Sequence, residues 1–139
     1  MSISKASATW TGAFKSGKGV MKPDNAGEVP FSVGTRFEGV KGSNPEEMIG
    51  AALAGCFSMA LSVGLEKAGM TPETIATSAK VHLDKQGDGF GIPRIELTTE
   101  VRATGGNAEK FKAVAEDTKK NCPVSKVLRA EIMLDAKLL

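Results

Sequence analysis

Asn44–Gly69 reads NPEEMIGAALAGCFSMALSVGLEKAG, and both ends of this stretch carry helix punctuation. Asn44 is a favourable N-cap and Pro45 suits the first helical position. Glu47 stands three residues after the cap, the spacing of a capping box. Gly69 is a typical C′ residue and should stop the helix. The middle is apolar on nearly every side, which predicts a helix surrounded by protein. Gly50, Ala51, Ala54, Gly55 and Ser58 are small enough to let a neighbouring backbone come close. Gly50, Gly55, Ser58, Ser62 and Gly64 also interrupt the apolar run, so it reads as a buried core helix rather than a membrane span.

Upstream, Gly12, Gly17, Gly19, Pro23, Asp24, Asn25 and Gly27 punctuate a region of strands and turns that extends to about Arg36. Short strands are expected around Ser7–Phe14, Gly19–Met21 and Val29–Val33. Downstream, Ala79, Val81 and Leu83 alternate with Lys80, His82 and Asp84. Ile95, Leu97, Thr99 and Val101 alternate with Glu96, Thr98, Glu100 and Arg102. Such period-two patterning marks strands with one buried and one wet face. The QGDGFG stretch, Gln86–Gly91, reads as the hairpin loop between them. A second helix is expected from Asn107 to about Lys120, with Phe111, Val114 and Ala115 as its apolar stripe. Pro123 breaks it and can open a short helix to Arg129. A last strand, Glu131–Leu138, buries Ile132, Leu134, Ala136 and Leu138. This order predicts an α+β fold, a mostly antiparallel sheet packed on the long central helix.

A chain of 139 residues fits one domain spanning 1–139. Its 18 Lys+Arg against 16 Asp+Glu leave a net charge of +2, too small and too scattered to argue for nucleic acid or an anionic membrane as partner. The opening residues MSISKASATW lack an apolar segment, so no signal peptide and a cytoplasmic location are expected. Thiols are normally kept reduced there, which disfavours a static structural disulfide.

Cys56 lies mid-helix in AALAGCFSMAL. It reads either as a small core hydrophobe or as a reactive thiol, and the second needs a cation nearby, because burial raises a thiol's pKa. Cys122, in NCPVSKVL, precedes Pro123 at the start of a possible helix, where thiolate is favoured. It reads equally as a loop cysteine covered by its turn. Their separation of 66 residues excludes a Cys-x-x-Cys motif and the usual zinc patterns. His82 falls on a polar strand face, so no metal site and no cofactor are expected. Arg36, in TRFEG, reads as a surface arginine, and Glu46 and Glu47 favour a helix N-terminus.

Together these residues resemble the OsmC branch of the OsmC/organic-hydroperoxide-resistance family. The resemblance is carried by TRFEGVKGSNPEEMIGAALAGCFSMALS (Thr35–Ser62) and NCPVSKVLRAEI (Asn121–Ile132), with IATSAKVHLDK (Ile75–Lys85) between them. It spans essentially the whole chain. It implies an intertwined homodimer with two active sites near the subunit interface. It also implies a thiol peroxidase that reduces organic hydroperoxides to alcohols, and hydrogen peroxide less well. The family's reactive cysteine falls at Cys56, its second cysteine at Cys122, its arginine at Arg36 and its glutamate at Glu46.

In the implied chemistry, Arg36 stabilises the Cys56 thiolate and the developing alkoxide, and Glu46 holds the guanidinium. Cys56 sulfenic acid condenses with Cys122, and an external dithiol restores the thiols. For some members of the family that dithiol is lipoyl-type. Glu46 and Cys56 are ten residues apart. On a straight helix that is about 15 Å along the axis, so either the first turn bends away or Arg36 and Glu46 serve Cys56 of the other subunit. Met48, Leu53, Phe57 and Met59 are candidates for an apolar entrance. Two other readings stand beside the peroxidase: a thiol redox sensor, and a stress-associated binding protein whose cysteines are only core.

Overall fold

Ser32 and Thr35 organise a helix in a region that the sequence reads as strands and turns. The structure, a computed structural model, describes all residues Met1–Leu139 and forms two compact units, Met1–Met48 and Ile49–Leu139. In the first unit β1 (Ala6–Thr11), β2 (Lys18–Pro23) and β3 (Val29–Phe31) form an antiparallel meander. Next comes α1 (Val33–Phe37). The Thr35 N–H donates to Ser32 Oγ at 3.2 Å, and the Ser32 N–H donates to Thr35 Oγ1 at 2.9 Å. This reciprocal box satisfies two otherwise orphaned donors at once and starts the helix. Arg36 thereby lands in its last turn.

The unit boundary falls within α2 (Pro45–Lys67). The helix starts as expected, with the Glu47 N–H donating to Asn44 Oδ1 at 2.9 Å. The expected box is only half formed, because the Glu47 carboxylate accepts from Ser43 Oγ instead, at 2.7 Å. At the other end Met70 N–H donates to Leu65 O and Gly69 N–H to Glu66 O, at 2.9 and 3.0 Å. This is a Schellman closure, and it places Gly69 at φ +83°, where a Cβ would be strained.

The second unit continues with β4 (Thr71–Val81), β5 (Asp84–Gln86), β6 (Gly89–Gly91) and β7 (Arg94–Thr104). They are followed by α3 (Ala108–Asn121), α4 (Pro123–Val127) and β8 (Glu131–Leu138). The sheet order is β4-β7-β8; β4 ends at Val81, short of the expected Asp84, and β5 and β6 form a separate hairpin that starts at Asp84 and takes in the expected loop. All strand pairs are antiparallel except β7 with β8. That pair is parallel because helices α3 and α4 carry the chain back to the starting end of the sheet. β4 begins eight residues before the expected Ala79, across Pro72 and a register shift between Pro72 and Thr74. An edge strand tolerates both features.

Leu53, Phe57, Leu61 and Leu65 recur every fourth residue along α2 and are fully buried. They share one core with Ile95, Leu97 and Val101 of β7 and with Phe111 and Ala115 of α3. Gly64 lets α3 come close, since a Cβ there would lie 2.7 Å from Val114 Cγ1. By length and hydropathy α2 could cross a membrane, and its buried row marks it as the core helix of this unit. Contrary to the expectation that the helix is enclosed on all sides, Ala52, Gly55, Met59 and Val63 are exposed in the single chain.

Candidate active site

Cys122 joins two helices. It closes α3 through its N–H to Thr118 O and opens α4 as its N-cap, so its backbone is bound on both sides. Its sulfur is buried in the core cluster, 1% exposed. There it lies 2.9 Å from Ser125 Oγ and accepts the Ser125 N–H at 3.4 Å.

Cys56 sits on α2 at the edge of the same core, half-buried. Cys122 is close enough to act on its ionisation, and both thiols are free. The tertiary fold has therefore brought together two sulfurs that are 66 positions apart. Burial pushes the Cys56 thiol above its ordinary 9.0, and the neighbouring Cys122 adds to the rise; the Val124 backbone N–H pulls the other way. No cation is among the groups acting on Cys56. The second unit alone thus supplies two neighbouring free thiols, the first of them raised above its ordinary pKa.

In the first unit Arg36 and Glu46 form a fork. Arg36 Nε donates to Glu46 Oε1 and Oε2 at 3.0 and 3.2 Å, and Nη2 donates to Oε1 at 2.5 Å. Glu46 is 7% exposed, so the carboxylate is a fixed anchor, and Nη1 of the guanidinium is not part of the pair. The same guanidinium lies 5.2 Å from the centre of the Phe37 ring. Trp10, Phe14, Phe31 and Phe37 line a pocket of about 290 Å³ with Arg36 on its wall.

The sequence reading missed this pocket, because its aromatics come from strands, a turn and the short α1, with no local pattern to link them. Of the four residues expected at an apolar entrance, Leu53 and Phe57 are core. Met59 is exposed, and Met48 faces β1 and β2. Ser125 was also missed, although its position three residues after Cys122 and two after Pro123 is the N3 spacing at which a cap receives its bond. His82 is paired: its Nε2 lies 2.5 Å from Glu96 Oε2. No group of three or more His, Cys, Asp or Glu side chains is arranged to hold a metal.

The fold is α+β, with two neighbouring free thiols in its second unit and an anchored guanidinium in its first. The family model described as OsmC-like protein matches residues 38–137. The chain is 49% identical over 136 residues to the peroxiredoxin OsmC of Escherichia coli K12, covering 96% of this chain and 95% of that protein. The chain belongs to the OsmC-like family. Its fold matches that of an OsmC-like protein of unknown function from Vibrio cholerae, with a TM-score of 0.78 at 17% identity, over 98% of this chain and 99% of that one. It also matches an organic hydroperoxide resistance protein of Bacillus subtilis, with a TM-score of 0.66 at 23% identity, over 97% and 98% of the two chains.

Proposed function

We propose that the protein is a thiol peroxidase that reduces organic hydroperoxides, with Cys56 as the attacking thiolate and Cys122 as its resolving partner. The adjacency of the two free thiols carries this reading, and the similarity to a peroxiredoxin supports it. The Cys56 thiolate attacks the terminal peroxide oxygen, the O–O bond breaks, and the alkoxide leaves and takes a proton to become the alcohol. Cys122 then attacks the Cys56 sulfenic sulfur, so that an S–S bond forms and hydroxide departs as water. An external dithiol gives up two electrons and two protons by exchange, becomes a disulfide and restores both thiols.

A thiol held above its ordinary pKa needs a cation, and Arg36 is the candidate. Its fork to Glu46 fixes the guanidinium and leaves Nη1 to meet charge on the thiolate and on the leaving oxygen. The aromatic pocket beside Arg36 favours alkyl and aryl hydroperoxides over hydrogen peroxide. The matched region runs across the boundary between the two units, which supports a single OsmC-like domain over 1–139. The exposed apolar line of α2 supports a homodimer in which Arg36 and Glu46 serve the partner's Cys56. Chemistry that must be re-reduced by a dithiol suits the cytoplasm.

The test is turnover of cumene or tert-butyl hydroperoxide against hydrogen peroxide, with excess dithiol and mass spectrometry for a Cys56–Cys122 crosslink. Sustained turnover that favours the organic peroxides and is lost in Cys56→Ser is expected. Full turnover in Cys56→Ser would overturn the assignment. Reaction once per thiol pair would instead indicate a sensor. Mixed dimers of an Arg36→Ala chain with a Cys56→Ser chain should keep one working site if sites are shared between chains, and none if each lies within one chain.

A further inference from the structure

We infer that Ser125 is a positioning residue for the resolving step: its hydroxyl and backbone N–H, at 2.9 and 3.4 Å from Cys122 Sγ, fix the place from which that sulfur attacks Cys56. The inference rests on the proposed roles of Cys56 and Cys122.

Cys122 is buried in an apolar cluster with Phe57, Leu61 and Phe111. Ser125 is itself 7% exposed, so its hydroxyl has little access to water, and Cys122 Sγ is the partner it meets. Pro123 at the first position of α4 sets the local turn so that the third residue, Ser125, folds back over the sulfur. The backbone N–H alone would hold the sulfur at the longer distance, and the hydroxyl supplies the shorter contact.

Resolution requires Cys122 to give up its proton and attack the Cys56 sulfenic sulfur. One S–S bond forms, the S–O bond breaks, and hydroxide leaves as water with that proton. A hydroxyl hydrogen-bonded to the attacking sulfur limits its rotation and keeps it in place for the attack. Ser125 has no part in the first step, in which Cys56 meets the peroxide. Its loss should therefore separate the two steps.

The experiment follows full-length protein after one equivalent of cumene hydroperoxide. Samples are quenched in time with a dimedone-type sulfenate trap and a thiol alkylator, and peptides are read by mass spectrometry. In Ser125→Ala the Cys56 sulfenate should form at the unaltered rate and then persist. Disulfide formation should slow by about tenfold, the loss expected for one hydrogen bond made by the attacking sulfur. Ser125→Thr, which keeps the hydroxyl, should restore the second rate to within about twofold. Ser125→Gly, which keeps only the N–H, should behave as Ser125→Ala and serves in its place if that variant does not fold. Disulfide formation at the unaltered rate in the variants without a hydroxyl would overturn the inference, and so would Ser125→Thr as slow as Ser125→Ala. Absence of both Cys56 sulfenate and Cys56–Cys122 disulfide in the unsubstituted protein would overturn the peroxidase reading itself, and this inference with it.

Discussion

Replacing Arg36 by Ala should return Cys56 to a protonated, sluggish thiol. Burial and the Cys122 sulfur hold Cys56 above its ordinary 9.0. At neutral pH even a pKa at that ordinary value leaves only about 1% of the sulfur as thiolate. A cation within about 4–6 Å favours the ionised form by roughly ten- to a thousandfold. In a Cys122→Ser background, which isolates one thiol, Cys56 of the Arg36 protein should thus be alkylated at neutral pH at least about tenfold faster than in Arg36→Ala. The sign is set by the charge: the cation moves the alkylation profile to lower pH, and its removal moves the profile up.

The assay is the rate of iodoacetamide alkylation of Cys56 against pH, read from the mass of the Cys56 peptide. Arg36→Lys should fall between the two, because it keeps the charge but loses the fork to Glu46. Arg36→Ala also strips Glu46 of its partner. The Arg36 side chain is 34% exposed, so water softens that loss to about 1–2 kcal/mol, and the variant should remain folded. Coincident profiles with and without the Arg36→Ala substitution, both titrating above the ordinary thiol value, would refute the reasoning that Arg36 activates Cys56.

Thr99→Val removes a fully buried hydroxyl 2.9 Å from Thr77 Oγ1, while Thr77 keeps its bond from Ser58 at 2.7 Å. A loss of about 1 kcal/mol is expected, read from the urea midpoint. Gly69→Ala places a Cβ at φ +83° with nothing within 4 Å. The expected cost of about 1 kcal/mol is purely conformational and should show in thermal unfolding. The hydrogen bond from His82 holds the Glu96 carboxyl below its ordinary 4.5. A depressed carboxyl stabilises the fold above its unfolded pKa and loses that contribution as pH falls through its folded pKa. The stability advantage over Glu96→Gln should therefore be present near neutrality and vanish as unfolding is measured at progressively lower pH below that ordinary value.

The local chemistry of the chain determined much of this molecule. The ends of α2 follow from Asn44, Pro45 and Gly69, because a cap and a left-handed stop act within a few residues of themselves. The buried face of β7 follows from its alternation, and β8 occupies the Glu131–Leu138 span that its pattern predicts. Where a second partner competes, the local signal is insufficient: Glu47 turned to Ser43 rather than back to the cap. The Ser32–Thr35 box was overlooked because threonine stands where glutamate or glutamine usually marks the motif. The first half of β4 was hidden by Pro72, tolerated there because the strand lies at a sheet edge. The residue types at Arg36, Glu46, Cys56 and Cys122 were legible, and the quoted motifs linked them to a family. Only the tertiary structure decided that Cys122 meets Cys56, and that Arg36 stands beside Trp10, Phe14 and Phe31. Such contacts join segments far apart in the chain, and they depend on how α2, α3 and the strands pack rather than on any pattern within one element.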